Sequence, residues 1–523
     1  MNIHEYRART LIGPMLLLCF SLSILSGQKP AWVTGQGQST KYSRLIYLTG
    51  YGVAHLGRQD NSEDRKQQAV EAARRNLIEQ IQVKIRSEST TSLQATNIDY
   101  SDFYASTTVS SSSLEIWGLE ASTYYDRRKK LWHALVATRK DQLLESYRRK
   151  TEGLAGEIKE HFEAGLSREA AGQPTEALAE YLLCYPLFDH FQEAANLMFA
   201  VGAVTFESSF GELPATPRGK ITRAMLREAV DHLIERPIRN AKDLAWSLAY
   251  QLDKQLDSPG GSVMTTPFTF QDTRMGSPFA RYFQPILDHQ LTSMARWGIV
   301  PQTAQFEAGG QRYVLTGRYW EQPAGIKLMA EVRRIPDGEL VASADVLVAA
   351  SILQATNRDL KPQNFSTALS EQKQFRKDEV IGGGLMVDVW TDRGAENLLY
   401  TDGEILRIYV RVNVPSYIRM IYHFADGTRT LLMDSHYIDD TKVNKVYQLP
   451  DEFECAPPFG PEVLQVFART EPFDPVETVE EDGYYILKDD LPQFLAQTRG
   501  FKRKKPETMQ AERRVRITTL AKE

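Results

Sequence analysis

Apolar and polar positions alternate with different periods along the chain, and the first change of period marks a helix. From Asp64 to Ile81 the apolar residues recur every three or four positions, with charged residues between them, so this segment predicts an amphipathic helix. The glycine-bounded run from Arg44 to Ala54, and shorter β-like runs that continue to Thr138, predict strands around it. Together these elements indicate an α+β domain.

A helical stretch follows, in which a glycine-containing turn precedes a helix with Ala177, Leu178 and Tyr181 on one face. It is similar to one tetratricopeptide-type helical hairpin. Because a solenoid needs about three such units to bury a continuous core, and the sequence contains one convincing copy, we expect a helical spacer. A partner-binding groove remains the alternative interpretation of this hairpin.

The next segment begins with a helix in which leucines recur at every fourth position from Leu244 to Leu256. A β-run, a polar loop and an amphipathic helix come next, followed by three β-runs: QRYVLTGRYW, GIKLMAEVRRI and ELVASADVLVA. The dipeptide Asp337-Gly338 between the last two favours a tight hairpin turn. This order predicts an α/β domain that ends in an antiparallel meander.

From Leu385 onward the chain alternates with period two, and Asp402-Gly403 and Asp426-Gly427 supply hairpin turns. We therefore predict a C-terminal antiparallel β-sandwich. The fold class is multidomain α+β: an N-terminal α+β domain, a helical spacer, an α/β domain with an antiparallel meander and the sandwich. The predicted boundaries are 1–27 for a signal peptide, 28–140 for the N-terminal domain, 141–210 for the spacer, 211–355 for the α/β domain, 356–384 for a linker, 385–475 for the sandwich and 476–523 for a basic tail.

Three consecutive glycines, Gly382 to Gly384, stand directly before the sandwich and raise the question of a phosphate-binding loop. Such a loop needs a strand before it, a helix behind it and a Lys-Ser/Thr pair. Here a polar segment precedes the glycines and a strand follows them. The flanks therefore indicate a hinge between two modules.

The first residues indicate the compartment. Two arginines precede an apolar run from Leu11 to Leu25, and small residues follow it, which is typical of a cleaved secretory signal. Cys19 raises the alternative of lipidation, but leucine rather than a small residue precedes it. We expect a plain signal peptide and an exported chain. Of the remaining cysteines, Cys184 lies in an apolar run that favours a buried thiol, and nothing places Cys455 beside it.

The net charge of the chain argues against one class of partner. The chain has 62 Lys plus Arg against 67 Asp plus Glu, a net charge of -5, which argues against a protein that binds nucleic acid. The region Arg499 to Arg516 is basic, and we expect a solvated tail there, with contact to anionic lipid or cell-wall polymer as the alternative.

Few residues are candidates for chemistry. His133 lies in an alternating strand, where a packed or surface role is expected. His423 and His436 flank a hairpin, yet a third metal ligand is missing. Ser110 to Ser113 lack the glycine elbow of a serine nucleophile. The carboxylates of MDSHYIDD, which are Asp434, Asp439 and Asp440, match no calcium loop, so a solvated loop is favoured.

Three segments resemble known families. PAWVTG, YLTGYGVA, the helix ending in RRNLIEQI and WHALVATRK resemble the small outer-membrane lipoprotein family that includes flagellum-associated envelope proteins. VMTTPF, SPFARYF and VLTGRYW resemble the flagellar outer-membrane FlgO family and, more distantly, the periplasmic domain of the curli-secretion channel and of penicillin-binding-protein activator lipoproteins. GLMVDVWTD, YTDGE and DGTRTLLM resemble a widespread bacterial domain of unknown function. These resemblances imply assembly and scaffolding at the envelope and no known reaction.

We therefore expect a non-enzymatic exported envelope protein, in the periplasm or on the inner face of the outer membrane. It would act as a binding or assembly scaffold beside an outer-membrane secretion or motility machine. One alternative is a surface sensor or adhesion protein whose sandwich binds glycan or peptide, and a second is a hydrolase with an unrecognised site. Expected partners are envelope proteins or further copies of the chain. No catalytic, cofactor-binding or metal-binding residue, no cofactor and no nucleic-acid partner is expected.

Overall fold

The computed structural model describes residues 29–57, 60–92, 116, 118–202, 215–216, 219–234, 236–256, 261–271, 273–294, 297–300, 302, 312–335, 338–376, 384–481, 483–488 and 508–522. The predicted signal peptide with Cys19, the serine cluster at 110–113, Asp337, and Gly382 with Gly383 lie outside these ranges. The described chain is a multidomain α+β protein, as the sequence predicts.

The N-terminal domain is a three-stranded antiparallel sheet with one long helix on it. Its elements are α1 (Ala31–Thr34), β1 (Tyr47–His55), α2 (Ser62–Ser92), β2 (Glu120–Asp126) and β3 (Leu131–Arg139), and the strand order is β1-β3-β2. The helix lies very close to β1, because a Cβ on Gly52 would stand 2.2 Å from the backbone nitrogen of Ala73. The apolar stripe of α2, including Leu77, packs into a core with β1 and β3.

The helical spacer is a hairpin of two long helices, α3 (Lys140–Ala170) and α4 (Pro174–Val201). Gly172, with φ 73°, lies in the turn between them. Tyr181 packs directly over Gly165, where a Cβ would stand 2.3 Å from its ring. The short strands β4 (Ala215–Thr216) and β5 (Gly219–Lys220) pair with each other, and helix α5 (Arg223–Leu233) packs against α4.

The central α/β domain has helices on one face of a mixed sheet. Its elements are α6 (Ala241–Lys254), β6 (Gly261–Thr265), β7 (Thr269–Phe270), α7 (Pro278–Ser293), β8 (Trp297–Val300), β9 (Arg312–Gln322), β10 (Gly325–Ile335) and β11 (Leu340–Val348). The order is β11-β10-β9-β6-β8, with β7 beside β9. Strand β6 runs parallel to β8 and β9, and β9, β10 and β11 form the antiparallel meander. Leu244, Leu248 and Leu252 of α6 are fully buried in its core.

The segment predicted as a linker is partly helical and attached to the central domain. It follows α8 (Ala350–Gln354) and contains α9 (Phe365–Arg376). The hydroxyl of Tyr319 donates a hydrogen bond to the carbonyl of Leu360 at 2.7 Å, and Phe365 packs on the central core. The polar composition therefore concealed a helix that docks through a few apolar residues.

The C-terminal domain pairs a large sheet with a small one. Its strands are β12 (Val387–Thr391), β13 (Leu398–Thr401), β14 (Ile405–Leu406), β15 (Ile408–Val412), β16 (Ser416–His423), β17 (Arg429–Ile438), β18 (Tyr447–Gln448), β19 (Phe453–Glu454), β20 (Pro461–Arg469), β21 (Thr478–Glu481), β22 (Tyr484–Leu487) and β23 (Gln510–Leu520). The large sheet has the order β13-β23-β20-β16-β17-β22-β21, the small one β12-β15-β18, and β14 pairs with β19. Side chains of the large and small sheets share one core.

The prediction of a basic tail from residue 476 onward is wrong for most of the residues that the structure describes there, because they form strands. Strand β23 lies inside the large sheet, antiparallel to β20 over nine residue pairs and parallel to β13. Val515 and Ile517 are buried in the core. Period-two alternation in this strand places apolar side chains on the core face although arginines lie between them.

Gly384 is not a free hinge. Its backbone, at φ 106°, forms a parallel bridge with Gly52 of β1, and a Cβ there would stand 2.8 Å from the ring of Tyr51. Tyr51 and Val53 are themselves part of the sandwich core. The last of the three glycines therefore permits close contact between two domains rather than their reorientation.

The sandwich also contacts the central domain through β23. The hydroxyl of Thr518 accepts a hydrogen bond from the backbone N–H of Gly276 at 2.9 Å. The guanidinium of Arg281 donates to the carbonyl of Ala521 at 3.0 Å. The C-terminal domain thus joins the N-terminal and central domains.

Candidate functional site

His133 is a packed residue at the contact between the N-terminal domain and the sandwich. Its Nδ1 lies 2.6 Å from the hydroxyl of Tyr51, and Tyr124 lies against its ring. Burial lowers the pKa of His133 to about 4, so the ring is neutral at physiological pH. This geometry joins a strand to its neighbour and presents no ring nitrogen to solvent.

His423 and His436 do not approach one another. In the β16–β17 hairpin His423 is opposite Arg429, whereas His436 is opposite Ile418, which separates the two rings by about five residues of strand. The Nε2 of His423 is instead 2.8 Å from Oε1 of Gln465, and burial lowers the pKa of His423 to about 3.

The three aspartates do not converge either. Asp434 accepts a hydrogen bond from Nε of the buried Arg419 at 2.7 Å, and Asp439 caps a turn by accepting from Thr441. Among the residues that the structure describes, no group of three or more histidine, cysteine, aspartate or glutamate side chains has a metal-binding arrangement.

A buried ion network, which sequence reasoning missed, joins the spacer to the central sheet. Arg223 of α5 forms an ion pair with Asp189 of α4 and bonds Asp345 of β11 at 3.1 Å. The ammonium group of Lys327, which is fully buried, lies 3.5 Å from the same carboxylate of Asp345. Such a network stabilises only while every charge has its partner.

The network continues along β10. Arg333 donates to Glu193 of α4 at 2.7 Å and to Glu331 at 3.0 Å, and Arg318 pairs with Glu331. Although burial opposes ionisation, the charge of Arg333 lowers the pKa of Glu193 to about 2. Charged residues at alternate positions of the meander suggest a solvated second face, and only the structure shows that the spacer covers it.

The two ends of the large sheet differ in accessibility. Strand β13 is buried, and Leu399 contacts the central domain near Gly276. Strand β21, at the other end, has the exposed residues Val479, Glu480 and Glu481. An exposed edge strand offers unpaired backbone groups to an added strand.

The register of the β21–β22 hairpin shows which backbone groups point outward. The amide of Lys488 donates to the carbonyl of Glu477 at 3.2 Å, so this pair is hydrogen-bonded within the hairpin. Hydrogen-bonded and non-hydrogen-bonded pairs alternate in an antiparallel ladder. The N–H and C=O groups of Thr478 and Glu480 therefore face away from β22.

Aromatic and acidic side chains surround this edge. Val479 is 44% exposed, Tyr484 45% and Tyr485 52%, and Glu480 is directly opposite Tyr485 across the hairpin. Residues 471–487 contain no lysine or arginine, and their acidic residues are Glu471, Asp474, Glu477, Glu480, Glu481 and Asp482. We call β21 and β22, with the flanking residues Asp474 and Glu477, the acidic edge. Its backbone, charge and aromatic rings favour an extended, basic peptide.

Comparison with known families identifies one part of the chain. Residues 399–472 match a family described as Domain of unknown function (DUF4384). Two of the three hallmarks, YTDGE and DGTRTLLM, lie in this range, so the resemblance to a domain of unknown function is confirmed there, while GLMVDVWTD lies before it. The match ends before β21, β22 and β23, so the acidic edge and the strand inserted between β13 and β20 lie outside the matched range.

Two solved structures align with parts of the chain. The LpoB C-terminal domain from Escherichia coli is 14% identical, with 20% of this chain and 98% of that chain covered and a TM-score of 0.17. The secreted protein HP1454 from the human pathogen Helicobacter pylori is 12% identical, with 62% of this chain and 97% of that chain covered and a TM-score of 0.20. No curated protein matches the chain. Within the described ranges, no helix is both long and apolar enough to cross a membrane.

Inside the DUF4384 domain, one buried carboxyl group has an unusual environment. The hydroxyl of Tyr422 donates to Oε2 of Glu462 at 2.7 Å. Burial raises the pKa of Glu462 to about 8. Cys455 is a free, buried thiol whose pKa burial raises to about 12, and Cys184 is likewise free and buried, as expected. Glu462 and Cys455 belong to the interior of the region that matches DUF4384, whereas Cys184 lies in α4 of the spacer.

Proposed function

We propose that this protein is an exported, non-enzymatic binding scaffold of the bacterial envelope that recruits protein partners at the acidic edge. The two envelope-family resemblances support a place beside an outer-membrane secretion or motility machine, and the signal-like first residues support export. The resulting role is to hold an extended, basic segment of a partner while the fused domains keep the edge in a fixed position.

The observation that carries this proposal is the outer side of β21. Thr478 and Glu480 direct backbone donors and acceptors outward. A partner strand beside β21 can form backbone hydrogen bonds with these groups. Exposed Tyr484 and Tyr485, on β22, provide aromatic surface beside β21. The carboxylates select lysine or arginine in the partner by charge.

The non-enzymatic part of the proposal is supported by the state of the candidate groups. His133 and His423 are buried, hydrogen-bonded and neutral. The charged residues behind β10 and β11 are paired with one another across an interior contact. A general base or nucleophile needs access to a substrate, and these groups are instead packed inside the protein.

A peptide-binding experiment tests the proposal. A fluorescent peptide of alternating lysine and valine is expected to bind, as measured by anisotropy, and its glutamate-valine counterpart is not. Thr478→Pro should remove binding, because proline deletes an outward N–H while the hairpin ladder is kept. Glu480→Lys with Glu481→Lys should reverse the preference between the two peptides.

Glu152→Lys is the matched control, since Glu152 is an exposed glutamate on α3. It should leave binding of the basic peptide unchanged. Equal binding of both peptides, or undiminished binding by Thr478→Pro, would contradict strand addition at the acidic edge.

A further inference from the structure

An apolar turn protrudes from the N-terminal domain, ahead of β1. Leu45 is 88% exposed and Ile46 is 49% exposed. Such exposure of two neighbouring aliphatic side chains has no packing role within the described chain. Apolar residues that project from a folded domain in this way indicate a contact with another phase or molecule.

Hydrogen bonds hold this turn in place. The amides of Ile46 and Tyr47 both donate to the carbonyl of Ser43, at 3.0 Å and 2.8 Å, and the amide of Lys140 donates to the carbonyl of Ile46 at 2.9 Å. Behind the turn, Tyr42 is buried. Leu45 and Ile46 are therefore presented on a fixed support.

Cations surround the two apolar side chains. Lys41, Arg44 and Arg139 are exposed, and Lys140, whose ammonium group donates to the carbonyl of Arg44 at 2.8 Å, is half-buried. The acidic neighbours are Glu120, 3.8 Å from the ammonium of Lys41, and Asp141, which pairs with Arg139 at 2.6 Å. Four cations against two carboxylates give this tip a net charge of +2, although the whole chain carries -5.

We infer that this basic tip, Lys41 to Ile46 with Arg139 and Lys140, docks on the surface of an anionic lipid bilayer. Leu45 and Ile46 enter the headgroup boundary, and the cations contact acidic headgroups beside them. The long side chains of lysine and arginine suit this position, because their methylene stems follow the apolar residues while the charges remain in water.

The described part of the basic region near the C-terminus, from residue 508 to Arg516, is a weaker candidate for the same contact. Arg513 and Arg514, in β23, pair with Glu79 and Glu512, and Arg516 donates to the carbonyl of Thr273. These arginines lie on a strand inside the large sheet, whereas the ion pairs of the tip, Lys41 with Glu120 and Arg139 with Asp141, are exposed. The basic tip also combines charge with exposed aliphatic side chains, which β23 directs into its own core.

Vesicle flotation of the exported, processed protein tests the inference. The protein should float with phosphatidylcholine vesicles that contain phosphatidylglycerol, and much less with phosphatidylcholine alone. Arg44→Glu and Lys41→Glu should each weaken binding by about fivefold or more. Leu45→Ser with Ile46→Ser should abolish flotation, and added salt should weaken it.

Leu183→Ser is the matched control, because Leu183 is 40% exposed on the distant helix α4. It should float as the unchanged protein does, and so should Glu480→Lys with Glu481→Lys, which alters the acidic edge alone. Unchanged flotation of the Leu45→Ser, Ile46→Ser protein would overturn the inference. So would loss of flotation on replacing residues 502–505 with serine while the tip is intact.

Discussion

The side chain of Asn413, in the sandwich, donates a hydrogen bond to the backbone of Val53 in the N-terminal domain, more than three hundred residues earlier in the sequence. Its side-chain amide donates to the carbonyl of Val53 at 2.7 Å and to that of Gly384 at 2.9 Å, while its oxygen accepts from the amide of Met386 at 2.7 Å. One side chain thus fastens β1 and the end of the linker to the sandwich. The domains share a core at this point.

Removal of this amide should loosen the junction. Asn413→Ala leaves partly buried carbonyls without their donor, and we expect a loss of about 1–3 kcal/mol in the free energy of unfolding. Asn413→Asp should be worse at neutral pH, because a carboxylate would face two carbonyl oxygens, and should recover as acid protonates it. Urea unfolding at two pH values measures both. Equal stability of the Asp and Ala proteins at neutral pH would contradict this arrangement.

Gly52 should tolerate no side chain. A Cβ there would stand 2.2 Å from the nitrogen of Ala73 and 2.5 Å from the carbonyl oxygen of Ala69, both of them backbone atoms of α2. We expect Gly52→Ala to cost roughly 3 kcal/mol. Gly153→Ala is the control: nothing lies within 4 Å of that Cβ on an exposed helix position, so it should stabilise by about 0.5–1 kcal/mol. Similar melting temperatures for the two variants would refute the close contact.

The ion network should depend on each of its members. Arg223→Met leaves Asp189 buried without its ion-pair partner, although Lys327 still lies beside Asp345, and a cost of about 3–5 kcal/mol is expected. Arg139→Met, which breaks the exposed pair with Asp141, should cost less than about 1 kcal/mol. Chemical denaturation followed by tryptophan fluorescence compares them. A small effect at Arg223 would show that the spacer is held by its apolar contacts alone.

Glu462 should make stability depend on pH. Its pKa in the folded chain is raised from 4.5 to about 8, so the folded state retains a proton that the unfolded chain has lost. Stability therefore falls as pH rises from about 4.5 to about 8, on the order of 5 kcal/mol in total. Glu462→Gln should remove that decline and be the more stable protein at pH 9. Parallel pH profiles for the two proteins would contradict the assignment.

Local alternation was sufficient to predict several elements. Helix α6, with its buried leucines, the meander of β9 to β11 and the hairpin turn at Gly427 follow from short-range patterns. Strand β23 does not follow from such a pattern, because its arginines suggest a solvated tail. Only the structure shows their partners: Arg513 pairs with Glu79, Arg514 with Glu512, and Arg516 bonds the carbonyl of Thr273.

Contacts between distant segments account for the remaining differences. The bridge between Gly52 and Gly384 joins positions whose proximity no local pattern encodes, and so the glycine run suggested a hinge. The acidic edge was foreseeable only as a general role for sheet edges, because the sequence does not reveal which strand is outermost. The outward direction of Thr478 and Glu480 needed the register of the hairpin.

Hydrogen exchange of individual amides in the presence of the lysine-valine peptide tests the proposed function most directly. Strand addition at the acidic edge predicts that the amides of Thr478 and Glu480 become protected, while that of Val479, already bonded within the hairpin, changes little. Peptide binding that leaves Thr478 and Glu480 exchanging at their free rates would contradict the account.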